Sequence, residues 1–196
     1  MVLVTNKEVL DAANDGGYAV GAFNINNMEI AQAIVSTASE MNAPVILAAS
    51  QGAIEYAGIE FLEVIAKTAA ANTDVPVTLH LDHGTDFNVI LQCIRHGFTS
   101  VMIDGSKLPF KENVALTKKV VDVAHPCGLS VEAELGRLVG VEDQISVSER
   151  DAVFTDPDEA VQFVEETGVD ALAVAIGSAH GIYKGEPKLD FERLEV

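Results

Sequence analysis

Short apolar runs and longer stretches with apolar residues every three to four positions take turns along nearly the whole chain. The runs predict strands over residues 18–23, 45–49, 77–81, 100–103, 130–135 and 171–176. The periodic stretches predict helices over residues 27–42, 59–71, 86–96, 110–124 and 158–166, the last announced by Asp156-Pro157. Unalternating apolar strands separated by helices belong to a parallel sheet covered by helices. No linker or low-complexity segment breaks the rhythm, so residues 1–196 are expected to form one domain.

Two architectures share this pattern, an open doubly wound sheet and a (β/α)8 TIM barrel. The first strand is followed by no dinucleotide fingerprint; Gly21-Ala22-Phe23-Asn24 stands there instead. Polar residues gather at the C-terminal end of every predicted strand: Asn24, Ser50, Asp82 with His83, Asp104, Glu134, and Ser178 to His180. An open sheet presents a ligand only to the strands beside its switch point, whereas a barrel opens all its strands on one mouth. The barrel is therefore expected. At the other end Asp190 reads as the cap of a helix that begins at Phe191 and runs for about one turn. Complete barrels usually take about 250 residues. The expectation is an α/β fold with about six of the eight β/α units, an incomplete barrel truncated on its C-terminal side.

Composition narrows the partners. The chain carries 30 Asp and Glu against 12 Lys and Arg, a net charge of -18, with no basic stripe for nucleic acid or anionic membrane. Most of that acidity reads as a solvated surface. A phosphate-bearing ligand would need local help from a metal, a lysine or a helix N-terminus. With 48% hydrophobic residues disorder is excluded, and two cysteines exclude a disulfide scaffold. The longest apolar stretches fall well short of the ~20 residues of a membrane helix. The first residues carry no basic or long apolar leader, so a cytoplasmic protein is expected.

Three clusters carry candidate chemistry. Thr78-Leu79-His80-Leu81-Asp82-His83-Gly84 sets a metal-type ligand beside a carboxylate able to move protons, although a strand-end Asp-His pair serves equally as a helix cap. Gly177-Ser178-Ala179-His180-Gly181 offers a second histidine at another strand exit, and two such histidines facing one mouth favour a metal over coincidence. Lys184 close by reads either as a phosphate ligand or as a solvated lysine. In Val131-Glu132-Ala133-Glu134-Leu135 period two puts both glutamates on one face, inward beside a metal or outward in solvent. Asp104 is a strand-end acid of the same ambiguous kind. The polar segment 137–155 reads as a functional lid or an unstructured loop. His96, His125, Cys93 and Cys127 lie away from the strand exits and read as packing or surface residues.

Taken together, the chain resembles the class II, metal-dependent fructose-bisphosphate aldolases, with tagatose-bisphosphate aldolases as near relatives. The resemblance rests on Gly-Tyr-Ala-Val-Gly-Ala-Phe-Asn at 17–24, His-Leu-Asp-His-Gly at 80–84 and Gly-Phe-Thr-Ser-Val-Met-Ile-Asp at 97–104. It continues through Val-Glu-Ala-Glu-Leu-Gly at 131–136 and His-Gly-Ile-Tyr-Lys-Gly at 180–185. It implies that His83 and His180 hold a catalytic Zn2+ and that Asp82 exchanges a proton with the aldehyde oxygen. Asp104 and Glu134 correspond to positions around a second metal site, for a divalent or monovalent cation. Asn24 and Ser50 correspond to substrate contacts, Gly181 and Lys184 to the ketose-side phosphate, and Glu142 to a base on a mobile loop. Glu132 is expected to orient a histidine from behind.

The implied partners are a sugar bisphosphate and triose phosphates, with no nucleic acid and no membrane, in a homodimer. The family continues with a strand carrying a third zinc histidine and a phosphate-gripping loop, neither of which occurs in these residues. Weak zinc binding and negligible activity are therefore expected of this chain alone. The alternatives are tagatose 1,6-bisphosphate as substrate, or a non-catalytic barrel fragment acting through assembly.

Overall fold

The computed structural model describes residues 3–138, 140–142, 145–147, 153–183 and 185–196, with backbone only at 140–142 and 145–147. Helix α1 (Asn6–Gly16) leads into β1 (Gly21–Asn24), α2 (Met28–Glu40), β2 (Val45–Ser50), α3 (Gln51–Ala57) and α4 (Ile59–Ala71). Then come β3 (Val77–Gly84), α5 (Phe87–Arg95), β4 (Ser100–Ile103), α6 (Phe110–Ala124), a short 3-10 turn (His125–Cys127) and β5 (Ser130–Leu135). A hairpin of β6 (Gly140–Glu142) and β7 (Ile145–Val147) precedes α7 (Pro157–Thr167), β8 (Ala171–Val174) and α8 (Phe191–Leu194). None of the described helices is long and apolar enough to cross a membrane.

The helix starts follow local chemistry. The side chains of Asn27, Asp86, Asp156 and Asp190 accept backbone N–H bonds at the first turns of α2, α5, α7 and α8. Two helices go beyond the hydrophobic pattern. Helix α1 is polar overall but held by a reciprocal capping box between Thr5 and Glu8, and α3 is capped by Ser50. Strand β1 begins later than the apolar run suggests, because its ladder with β2 starts at the pair Gly21 and Val45. Strand β8 stops early for the same reason, at the pair of Leu135 and Val174. The segment 137–155, expected as lid or loop, contains the antiparallel β6–β7 pair and a bridge between Arg137 and Val153.

Six strands form one parallel sheet in the order β1-β2-β3-β4-β5-β8. Paired residues of a parallel ladder point the same way, and successive residues point opposite ways. Leu47, Leu79, Leu81, Val101, Ile103 and Val131 belong to the apolar core, whose other members are largely helical. The alternate residues Ala48, Thr78, His80, Ser100 and Met102 are just as buried yet lie outside that core. They face the concave side, covered by the curl of the sheet itself, as in part of a barrel. Burial fades toward the two sheet edges: β1 is exposed at all four residues and β8 is half-buried.

Candidate metal centre

Asp82 and His83 are sequence neighbours, so plain alternation would send one to the mouth and the other into the helices. The ladder between β3 and β4 runs from the pair Leu81 and Val101 to the pair Gly84 and Ile103, three steps on one strand against two on the other. That is a bulge, which re-aims side chains. His83 absorbs it with a φ of 48°, a left-handed conformation uncommon outside glycine. Both side chains thereby reach the mouth. Gly84 allows the kink, because a Cβ there would sit 2.6 Å from the Met102 carbonyl oxygen. The Gln51 Oε1 of α3 holds the next residue, accepting from Thr85 N–H at 2.6 Å and from its hydroxyl at 3.1 Å.

Around His83 the donors converge. Its Nδ1 lies 3.3 Å from Asp104 Oδ2 and 3.7 Å from Glu134 Oε2. One ligand atom from each of His83, Asp104 and Glu134 can be chosen so that all lie within 4.8 Å of one another. Tetrahedral zinc with bonds near 2.1 Å spaces its ligand atoms about 3.4 Å apart, so the set fits a cation. The His180 ring stands edge-on to His83 with centroids 5.2 Å apart. Two imidazoles on one tetrahedral ion put their ring centres about 5 Å apart by the same bond lengths. The Asp82 carboxylate is farther from the His83 ring, at 4.0 Å from Nε2.

The carboxylates are set from behind. Burial pushes the Asp104 carboxyl up, but hydrogen bonds from His83 and Ser106 outweigh it and hold it below the usual carboxylate range. Ser106 N–H donates to Asp104 Oδ1 at 3.0 Å. At β5 the buried Asn113 of α6 donates its amide to the Glu134 carbonyl at 2.9 Å, pinning the strand under its side chain. Both glutamates face inward, since Val131, Ala133 and Leu135 belong to the helix-side core. Glu132, expected behind a histidine, lies 3.4 Å from Nε2 of His80, whose Nδ1 lies 2.8 Å from Ser100 Oγ. Burial, with the His83 charge adding to it, takes the His80 imidazole down to about 3. Burial pushes the Glu132 carboxyl up to about 7, with Asp82 adding and His83 opposing. His80 is thus neutral near pH 7, and its contact with Glu132 is a neutral imidazole against an acid.

Of the remaining sequence candidates, Ser50 and Asn24 close β2 and β1 at the mouth. Ser50 sits in register with Asp82 and accepts from Ala53 N–H at 3.2 Å, leaving its hydroxyl proton free to donate elsewhere. Asn24 ends β1, exposed and in register with Ala48. Gly181 follows His180 with a φ of 79°, on a turn where Ala179 N–H donates to the Tyr183 hydroxyl at 2.9 Å. Nearby, Arg137, Ser178, Tyr183 and Lys188 help to line a cavity of about 350 Å³. Lys184 lies outside the described residues, and Glu142 is described by its backbone alone, at the end of β6. His80, Ser100, Gln51 and Asn113 join the site without being among the sequence candidates. His80 had a readable signal, being in step with Asp82 on one strand face, while Gln51 and Asn113 reach the site from helices and left none.

The set-aside residues play other parts. His96 Nδ1 pairs with Glu63 at 2.9 Å and His125 Nε2 with Asp170 at 2.8 Å, while Cys93 is buried and Cys127 exposed. A cavity of about 650 Å³ between α2 and α4 lies on the helix side of the sheet, away from the converging donors.

Comparison with known proteins identifies the family. The chain is 53% identical over 197 residues to a fructose-bisphosphate aldolase of Helicobacter pylori, covering 99% of this chain and 64% of the relative. It is 52% identical over 195 residues to a fructose-bisphosphate aldolase of Thermus caldophilus, covering 98% and 64%. The chain thus spans 64% of the length of these curated relatives. Among solved structures, the YdjI aldolase from Escherichia coli K12 matches with a TM-score of 0.86 at 37% identity, over 99% of this chain and 68% of that one. Residues 4–196 match the family described as fructose-bisphosphate aldolase class-II, and the chain belongs to that family of generally metal-dependent lyases.

Proposed function

We propose that these residues supply the metal and acid–base centre of an enzyme that cleaves fructose 1,6-bisphosphate to dihydroxyacetone phosphate and glyceraldehyde 3-phosphate and runs the reverse condensation. On this reading residues 1–196 are one incomplete domain, six units of an eight-unit barrel. The observation that carries it is the convergence of His83 and His180, with centroids 5.2 Å apart, beside an aspartate that lies farther off. Zn2+ held by these two histidines would act as a Lewis acid, easing negative charge on the ketose carbonyl and hydroxyl oxygens.

The protein's own groups do the rest. Asp82, 4.0 Å from His83 Nε2, exchanges a proton with the C4 oxygen, a contribution of about 10²–10⁴-fold. Asp104 and Glu134 fit a second cation, divalent or monovalent. Ser50 and Asn24 contact the sugar, Glu142 serves as the base on its hairpin, and Gly181 with Lys184 takes the ketose-side phosphate. Arg137 and Lys188 add positive charge beside that phosphate, which a chain of net charge -18 otherwise repels. A cytoplasmic glycolytic setting and a homodimer accompany this reading.

The test is a coupled cleavage assay with added zinc, on this chain alone and on this chain mixed with a polypeptide bearing the last two barrel units of a relative. Negligible turnover alone, rescue on mixing, and loss of the rescue in Asp82→Asn with zinc retained are expected. Unchanged rescue by Asp82→Asn would overturn the acid–base assignment. Rapid turnover by the chain alone would overturn the requirement for further ligands.

A further inference from the structure

We infer that His80 is a positioning residue: braced by Ser100, it tethers the Glu132 carboxyl behind the cation site and acts on cation binding only through Glu132. The inference rests on the metal centre proposed above and extends it to three residues behind the candidate ligands. His80 is 3% exposed and sits on the concave face, where a buried imidazole is costly unless its nitrogens find partners. Nδ1 does, with Ser100 Oγ at 2.8 Å, and Nε2 comes within ion-pair distance of Glu132 Oε2, at 3.4 Å.

The strut crosses three neighbouring strands. His80 on β3 is the ladder partner of Ser100 on β4, and Glu132 on β5 is the ladder partner of Met102, two residues further along β4. Each member stands on a paired strand, so the backbone cannot drift. Glu132 is two residues before Glu134 on the same face, and a quarter of its side chain reaches solvent on the mouth side. A glutamate there has three rotatable bonds and, untethered, would swing toward solvent or onto the cation itself. The tether keeps its carboxyl group beside the candidate ligands without making it one of them. A serine, a histidine and an acid in line also suggest acyl-transfer chemistry, but Ser100 is fully buried and no substrate can reach it.

Outer partners of metal sites are typically worth 10–100-fold in affinity. Cobalt(II) titration of the metal-free chain, followed by visible absorption and calorimetry, reads the effect. His80→Phe and Glu132→Gln should each weaken cobalt binding about tenfold. The double variant should lose no more than the weaker-binding single one, and His80→Gln, which can still donate to the carboxylate, should regain most of the affinity. Wild-type affinity in a folded His80→Phe, or losses that multiply in the double variant, would overturn the inference. Histidine 15N NMR of the metal-free chain gives a reading that needs no cobalt. His80 should show one fixed tautomer, with resonances displaced by Ser100→Ala and by Glu132→Gln. An averaged tautomer insensitive to both substitutions would overturn the tether, including where His80→Phe fails to fold. If His83→Ala leaves cobalt affinity unchanged, the metal centre itself falls, and the NMR arm still decides the tether.

Discussion

The two faces of the sheet are built from the same strands, one residue apart, and could hardly differ more. On the convex face Leu47, Leu79, Leu81, Val101 and Ile103 meet helices in a continuous hydrocarbon layer. On the concave face His80, Asp82, Ser100, Glu132 and Glu134 stand at the alternate positions. Burying apolar surface stabilises, whereas burying carboxylates and imidazoles costs free energy that hydrogen bonds or a cation must offset. Alternation therefore divides the work: the convex face holds the fold and the concave face carries the chemistry at some cost to it. His83 is the exception, moved from one face to the other by a single bulge.

The comparison breaks if the faces respond alike to substitution. Leu79→Ala, at a fully buried convex position, should cost about 2–5 kcal/mol in urea denaturation. Glu134→Gln, one face over, should leave the metal-free chain near its original stability while sharply weakening cobalt binding. A core-sized loss at Glu134, or a mild one at Leu79, would contradict the division. Gly84→Ala tests the crossing point. A methyl 2.6 Å from the Met102 carbonyl must displace backbone, with an expected cost of about 1–3 kcal/mol, and weaker cobalt binding should follow as His83 shifts. Loss of stability without loss of cobalt affinity would show that the bulge does not aim His83.

Much of this was legible in the residues. Apolar runs mark the six strands because the central four are buried on both sides and the two edge strands keep the same apolar composition, and a polar residue closes each run at the mouth. The inward placement of Glu132 and Glu134 is not legible, since period two puts them together without saying on which side. Only the helices packed on Val131 and Ala133 decide that. The bulge was not legible, because an extra residue in a ladder exists only relative to the partner strand. Nor were Gln51 and Asn113, which meet the site through tertiary contacts from α3 and α6. Helix α1 was legible and missed: Thr5 and Glu8 spell a capping box, but the polar stretch behind them weakened the hydrophobic signal.

Smaller effects sharpen the contrast. Cys93 packs among the convex residues, where burial pushes its thiol up to about 12, while Cys127 is exposed. With a thiol reagent near pH 8, one thiol should react at once and the second only on unfolding. Two prompt thiols would show that the helix layer is loose. Away from both faces, Glu63 is held below the usual carboxylate range by hydrogen bonds from Lys67 and His96. A depressed carboxyl contributes stability above its unfolded pKa and loses it as pH falls through the folded value. Glu63→Gln should therefore flatten the stability curve only below about pH 4.5, by no more than the ~1 kcal/mol of an exposed pair. The loss should be full at neutral pH and vanish in acid, so a loss confined to acid would contradict that sign.

The central claim is that residues 83 and 180, about a hundred positions apart in the chain, bring their imidazoles to one cation. X-ray absorption on the zinc-loaded chain counts those rings directly. One equivalent of zinc with two imidazoles, falling to one in His83→Ala and to one in His180→Ala, is the predicted result. A shell with a single imidazole, or a count indifferent to either substitution, would contradict it.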